Sequence, residues 1–323
     1  MRREDYLGHS SQFSGVEEHR LVGGKGDGMR LLEIRNGLGM EVTISLDRCA
    51  DISRLYLDGK NLGYFSPCGY VHPAYYQEAD SGFLKSFTAG FLTTCGLQNV
   101  GNPCTDEGKE YGLHGAIGNT PADHVSWKEE KDTIKVEAEI RQEGIFAPKL
   151  VMNRTIECSL QENKITLTDE IENRGDEESP CMILYHMNMG YPLLDEDATL
   201  SIPSRTVIPR NARARDGLSE WNRIIPPQKG FEEQCYYHLM EKEGVVKIYQ
   251  PKIDTGVCVR YDPEKLPFFT QWKMMGKRDY VLGLEPGNCT ADGRDVMRKD
   301  GCLKVLNPDE KVSYSIEISL YSK

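Results

Sequence analysis

The feature that most constrains this chain is alternation. In four separate stretches a buried-type side chain recurs at every second position: Met40, Val42, Ile44 and Leu46; Ile134, Val136, Ala138 and Ile140; Ile165, Leu167, Asp169 and Ile171; Tyr314, Ile316, Ile318 and Leu320. A period of two is the repeat of a β-strand with one face buried, and a one-residue slip would turn each set to water. The runs are short, rich in β-branched residues and bounded by turn formers: residues 24–28, Asn36-Gly37, Asp58-Gly59 and residues 173–175. No helix of three turns or more is expected, and short ones fit best in segments 70–90 and 228–242. Many short strands without βαβ alternation predict an all-β fold, a large antiparallel sandwich with few short helices. Sandwiches of this kind run long as one unit, so residues 1–323 are read as a single domain. The stretch 203–230, with four prolines and several arginines, reads as a surface excursion, and 103–123 as a functional loop.

Charge and composition exclude several roles. A formal net charge of -11 argues against a nucleic-acid partner, which needs clustered Lys and Arg. No apolar run approaches the roughly 20 residues that span a bilayer, so no membrane partner is expected. The first ten residues are charged with no apolar stretch behind them, unlike a secretory leader. The ten cysteines show no CxxC pair or metal-type spacing and read as reduced buried thiols of a cytoplasmic protein. The glycines at 24, 26 and 28 lack the strand and helix of a dinucleotide fingerprint, and there is no Walker loop, GxSxG or HExxH.

Five segments carry candidate chemistry. His114, followed by Gly115, can present an imidazole to a cleft or simply cap a turn. His186 and Asn188 lie two apart near a strand end and so share a face, where they serve a ligand or a core network. Glu285 closes an apolar strand just before Pro286-Gly287-Asn288. Burial there would raise its pKa into the range of a general base; a turn-capping role is the alternative. Arg48 and Asp51 either pair with each other or offer donors and an acceptor to hydroxyls. Trp272, with Lys273 beside it, can stack on a sugar face or fill a core.

Taken in order, Leu113-His114-Gly115, the strand ending at residues 172–176, the run Tyr185, His186, Asn188, Gly190 to Leu194, and Leu284 to Asn288 resemble the aldose 1-epimerase (galactose mutarotase) family. The resemblance spans roughly residues 30–320 and points to a bacterial branch whose members mostly lack an assigned substrate. Segments 47–52, 94–101 and 272–276 match that branch. What the resemblance implies is a galactose mutarotase-like sandwich with a sugar site on a concave face, no cofactor and no metal. It implies that Glu285 removes the anomeric proton, His186 donates to the ring oxygen and His114 binds near that oxygen, with base and acid on opposite sides of the ring. The family's sugar-binding Arg is missing from segment 94–101, where Asn99 is a binding candidate. Arg48 or Lys273 could replace the Arg, and Gln250 or Asp254 the hydroxyl-binding Asp.

The resulting expectation is an aldose 1-epimerase-like isomerase acting on a small sugar, with a homodimer left open. If Arg48 pairs with Asp51 the site is near neutral and suits a plain aldose; two inward cations would suit an acidic sugar. Two other readings stand beside it. One is a non-catalytic carbohydrate-binding or sugar-sensing protein on the same fold. The other is a metal-dependent sugar isomerase using His114, His186 and Glu285 as ligands.

Overall fold

The strand Lys164–Asn173 shows how alternation becomes architecture: every second residue from Ile165 to Asn173 is buried, and those between are half-buried. It is a central strand of an eight-stranded sheet in a computed structural model that describes residues 3–323. Met1 and Arg2, which open the segment read above against a secretory leader, lie outside the described residues. In spatial order the eight strands are Ala122–Glu129, Thr133–Glu143, Lys149–Ser159, Lys164–Asn173, Lys311–Tyr321, Thr255–Tyr261, Gly244–Gln250 and Thr199–Ser201. Every ladder in it is antiparallel.

A six-stranded antiparallel sheet faces it, ordered Ser204–Pro209, Gln234–Met240, Phe268–Met275, Tyr280–Gly287, Met182–Met189 and Leu92–Leu97. A five-stranded sheet, from Gly15–Arg20 to Lys60–Asn61, completes the layers. One apolar core joins all three sheets, with Ile34 and Ile44 from the five-stranded sheet, Ile134 and Leu167 from the eight-stranded and Ile183 and Leu284 from the six-stranded. Burying each such side chain contributes about 1.5–3 kcal/mol. This is the antiparallel β-sandwich that the alternation predicts.

Three details differ from the sequence reading or refine it. Within 228–242, where a short helix was expected, the chain forms the strand Gln234–Met240. Its buried face carries the polar Gln234 and His238 and its wetter face Cys235, Tyr237 and Leu239, so the polar/apolar contrast that marks a strand is missing. The stretch 203–230 is not wholly an excursion: Ser204–Pro209 is the edge strand of the six-stranded sheet, and Ala214 and Ile224 are buried. Proline suits such an edge, where backbone donors need no partner. Segment 70–90 holds two short turns of 3-10 helix, and residues 103–123 begin with a two-stranded ribbon. Among the described residues the α-helices are Ala212–Asp216 and Arg294–Lys299, and no helix is long and apolar enough to cross a membrane. All ten cysteines are unpaired, and seven are buried.

A buried ionic cluster ties the sheets together. Arg154, 1% exposed, sits on the eight-stranded sheet and donates to Asp169 Oδ1 and Oδ2 at 2.8 and 2.7 Å. It also donates to Asp51 Oδ1 of the five-stranded sheet at 2.6 Å and to Thr94 Oγ1 of the six-stranded sheet at 2.8 Å. Tyr185 Oη donates to Asp169 and Thr94 to Asp51. Burial alone would lower the Arg154 pKa, but Asp169 and Asp51 hold it well above the ordinary value.

Candidate active site

Strand parity decides which side chains meet. On Met182–Met189 the odd positions Ile183, Tyr185, Met187 and Met189 enter the inter-sheet core, so His186 and Asn188 project from the opposite face. On Tyr280–Gly287 the core takes Tyr280, Leu282 and Leu284, leaving Gly283 and Glu285 on that same outer face. On Phe268–Met275 the core takes Phe269 and Met275, leaving Thr270 and Trp272 outward. The register sets Thr270 opposite Glu285. Gly283 is required here: a Cβ on it would lie 2.1 Å from Glu285 Oε1.

The outer face is roofed by loops. His114 arrives from the loop after the ribbon, with φ +59°, a left-handed backbone that a non-glycine residue rarely adopts. Gly115 follows at φ +68°, and a Cβ there would meet Gly96 O at 2.3 Å and Asn99 O at 2.5 Å. The His-Gly pair is thus a tight bend that drops the imidazole into the cleft. Gly101 N–H donates to His114 Nδ1 at 3.4 Å, which leaves the hydrogen of the neutral ring on Nε2. Phe83 and Phe87 close one side, and Arg210, Asn102 and Ala291 another.

The result is a cleft of about 190 Å³ that brings together His114, His186, Glu285 and Trp272. His186 Nε2 lies 3.3 Å from Glu285 Oε1, in contact but not aligned as a hydrogen bond. The rings of His114 and His186 meet edge to face at 5.6 Å, and those of His186 and Trp272 at 5.4 Å. Burial pushes the Glu285 carboxyl well above the usual carboxylate range; Arg210 opposes the shift and Glu233 adds to it. Burial pulls His186 down to about 4, with the Asn188 side chain opposing. Burial, then the charges of His186 and Arg210, take His114 down to about 3.

Unpaired polar atoms gather here. Among the described residues, nine buried side-chain polar atoms lack a hydrogen-bond partner, and three of them, Glu285 Oε1, Thr270 Oγ1 and His186 Nδ1, belong to cleft residues. A fourth, Asn188 Oδ1, sits two residues along from His186. Leaving such atoms unpaired costs about 1–3 kcal/mol each, so the cleft is built to meet polar atoms from outside.

The other candidate residues lie elsewhere. Lys273 points to the sheet's opposite face, because neighbours on a strand alternate, and its Nζ donates to Glu220 O at 3.0 Å. Burial lowers its pKa to about 8. Arg48 neither pairs with Asp51 nor reaches the cleft: its Nη1 donates to Val71 O and Ser86 O, and burial lowers it to about 10. Asp51 belongs instead to the Arg154 cluster. Asn99 is fully buried, donating to Asn102 O and Gly112 O and accepting from Arg294 N–H, so it holds the loop that carries His114. Gln250 donates to Asp195 at 2.5 Å on the eight-stranded sheet, and Asp254 accepts from Tyr249 Oη nearby. Asn188 shares the outer face with His186 but donates to the His186 carbonyl and does not line the cleft.

Several cleft residues, Phe83, Phe87, Thr270 and Glu233 among them, carried no sequence signal, and Arg210 matters most. Arg210 Nε donates to Asp292 at 2.9 Å, and its Nη2 to Asn102 Oδ1 and Ala291 O at 2.9 and 2.7 Å. It follows the edge strand directly and is the cation of the cleft, the place that Arg48 or Lys273 was expected to fill. Among the described residues, no group of three His, Cys, Asp or Glu side chains is arranged to hold a metal ion.

Comparison with known proteins gives a family and a shared fold. The family model described as Domain of unknown function (DUF4432) matches residues 26–320. No curated protein matches the chain. Among solved structures, a provisionally assigned aldose 1-epimerase from Klebsiella pneumoniae is 27% identical, with a TM-score of 0.89, covering 95% of this chain and 83% of that one. A galactose mutarotase-like protein from Clostridium acetobutylicum is 15% identical, with a TM-score of 0.66, covering 97% and 100%. Galactose 1-epimerase from Lactobacillus acidophilus is 13% identical, with a TM-score of 0.64, covering 96% and 99%. The last two show a shared fold.

Proposed function

We propose that this chain, which belongs to the DUF4432 family, opens and recloses the ring of an aldose by acid–base catalysis and so interconverts its anomers. The observation that carries the reading is the Glu285–His186 pair: two buried titratable groups, 3.3 Å apart, with no hydrogen bond to either Glu285 Oε1 or His186 Nδ1. Strongly shifted groups that face a cleft are the usual mark of proton-transfer chemistry.

The pair stands side by side, whereas acid and base on opposite sides of the ring were expected. The chemistry accounts for this. The anomeric hydroxyl and the ring oxygen are both bonded to C1, so adjacent groups can serve both. In ring opening, Glu285 takes the proton of the anomeric hydroxyl, the C1–O bond to the ring oxygen breaks as the carbonyl forms, and His186 delivers a proton to the ring oxygen. Rotation about C1–C2 presents the other carbonyl face, and reclosure returns both protons. The pair passes from carboxylate and imidazolium to carboxylic acid and imidazole and back. Burial favours the uncharged form when the cleft is empty. The two forms differ by one proton across a short gap, so the cycle can start from either.

Other groups fit supporting roles. In this reading His114 Nε2–H donates to a ring or hydroxyl oxygen, and Trp272, held by its Nε1–H to Glu233 at 2.7 Å, stacks its indole face on the sugar. The reading takes a small sugar as ligand and calls on no cofactor. Its test is anomer interconversion followed by exchange NMR: purified chain should accelerate it for at least one aldose, and a chelator should not abolish the effect. Sugar binding without acceleration would favour a sensor instead.

A further inference from the structure

The walls of the cleft are unequal. On one side Phe83 and Phe87 pack with ring centroids 4.9 Å apart. Phe83 lies 5.2 Å from the His114 ring and Phe87 5.4 Å from the His186 ring. Leu113 packs against the same cluster. On the other side stands Arg210 with Asn102, while Trp272, bonded to Glu233, packs against the same apolar cluster as the two phenylalanines. Both histidines are therefore backed by carbon. A sugar whose C1 sits at Glu285 and His186 must turn one edge toward phenyl rings, where a hydroxyl finds no donor or acceptor and loses its water.

Charge narrows the ligand further. Arg210 is the one cation among the described lining residues, and its Nε and Nη2 are held by Asp292, Asn102 and Ala291. The carboxyls of Glu233 and Glu285 line the same cleft. A phosphate or carboxylate entering it would meet one partly satisfied cation and two acidic groups, the reverse of the paired donors that anions select. At about 190 Å³ the cleft also falls below the roughly 300–1,000 Å³ of sites for drug-sized ligands, which suits a single ring.

We infer, building on the acid–base reading above, that the substrate is a neutral deoxy aldose, with CH2 or CH3 in place of an alcohol-bearing carbon on the edge that faces Phe83 and Phe87. A pocket that is apolar toward one edge favours the deoxy compound over its hydroxylated partner by about 10- to 100-fold. Arg210 and Asn102 serve the hydroxyls of the opposite edge.

The experiment is an exchange-NMR panel on the full chain with matched pairs: galactose and 6-deoxygalactose, glucose and 2-deoxyglucose, ribose and 2-deoxyribose, with glucose 6-phosphate and glucuronate as anionic members. The expected result is a kcat/KM higher by about 10- to 100-fold for the deoxy member of at least one pair, with both anions slower than that member. Phe87→Asn should shrink that ratio by giving the hydroxyl a partner, and Leu113→Asn, at a less buried position, repeats the test if the first variant fails to fold. Equal or faster turnover of the hydroxylated member in every pair, or fastest turnover of an anion, would overturn the inference and leave the acid–base reading standing. Acceleration of no sugar at all would remove that reading and this inference with it.

Discussion

Replacing Arg154 with Met should destabilise the protein severely while leaving the cleft residues themselves intact. Arg154 makes five hydrogen bonds: to Asp51, twice to Asp169, to Thr94 and to the Cys49 carbonyl. Met fills a similar volume but removes the cation, stranding Asp51 and Asp169, which are 4% and 0% exposed. Removing one partner from a buried ion pair costs about 3–5 kcal/mol. With two carboxylates left behind, the upper end is expected, a large share of a typical total stability of about 5–15 kcal/mol. The pH dependence gives the mechanism away. In wild type burial raises the Asp51 carboxyl pKa and Arg154 opposes the rise, so without Arg154 it climbs further above the unfolded value of about 3.9. The penalty is then fully present once pH lies well above that raised value and shrinks as pH falls through it toward the unfolded value. Urea unfolding of wild type and Arg154→Met at pH 7 and pH 4.5 measures both effects. A loss under about 1 kcal/mol at pH 7, or a gap that does not narrow at pH 4.5, would refute the view that this cluster pins the three sheets through charge.

Other outcomes follow from the cleft. Because burial holds His186 down to about 4, the catalysed exchange should stay level from neutral pH into mild acid and fall only as His186 takes a second proton near that value; an acid limb centred at about 6.5, the ordinary imidazole value, would contradict this. The alkaline limb belongs to Glu285, whose raised pKa places it well above the carboxylate range. Gly283→Ala puts a Cβ 2.1 Å from Glu285 Oε1, so it should lower the exchange rate by about 10²-fold or more with the circular dichroism spectrum unchanged. Lys273→Met should leave the exchange rate nearly unchanged, since Lys273 lies on the sheet face turned away from the cleft, where its Nζ bonds Glu220 O.

How much of this was legible in the sequence depended on where the physics was local. Strands with one wet face, such as Lys164–Asn173, declare themselves by alternation. Gln234–Met240, with Gln234 and His238 on its buried face and Leu239 on its exposed one, does not. His114, His186, Glu285 and Trp272 could be found because each lies at or near a strand end or turn with polar chemistry out of keeping with its neighbours. Lys273 was misplaced for want of one parity argument: it cannot share a face with Trp272. Arg210 was invisible because its position is set by Asn102 and Asp292, over 80 residues away on either side in sequence. Arg154 left a usable trace. It interrupts the buried series Leu150, Met152, Ile156 and Cys158, just as Asp169 interrupts Ile165, Leu167 and Ile171 on the next strand. Two opposite charges on adjoining buried faces need one another, and the register sets them directly opposite.

The central claim is that Glu285 and His186 act as one proton-carrying unit. The most direct test compares anomer exchange rates of wild type, Glu285→Gln, His186→Gln and the double variant on the best aldose found. Glutamine keeps size and hydrogen bonding but cannot carry the proton. Each single change should cost about 10²–10⁴ in rate, and the double no more than the worse single, since members of one unit are not additive. Losses that multiply in the double variant, or near-wild-type exchange in either single, would contradict the account.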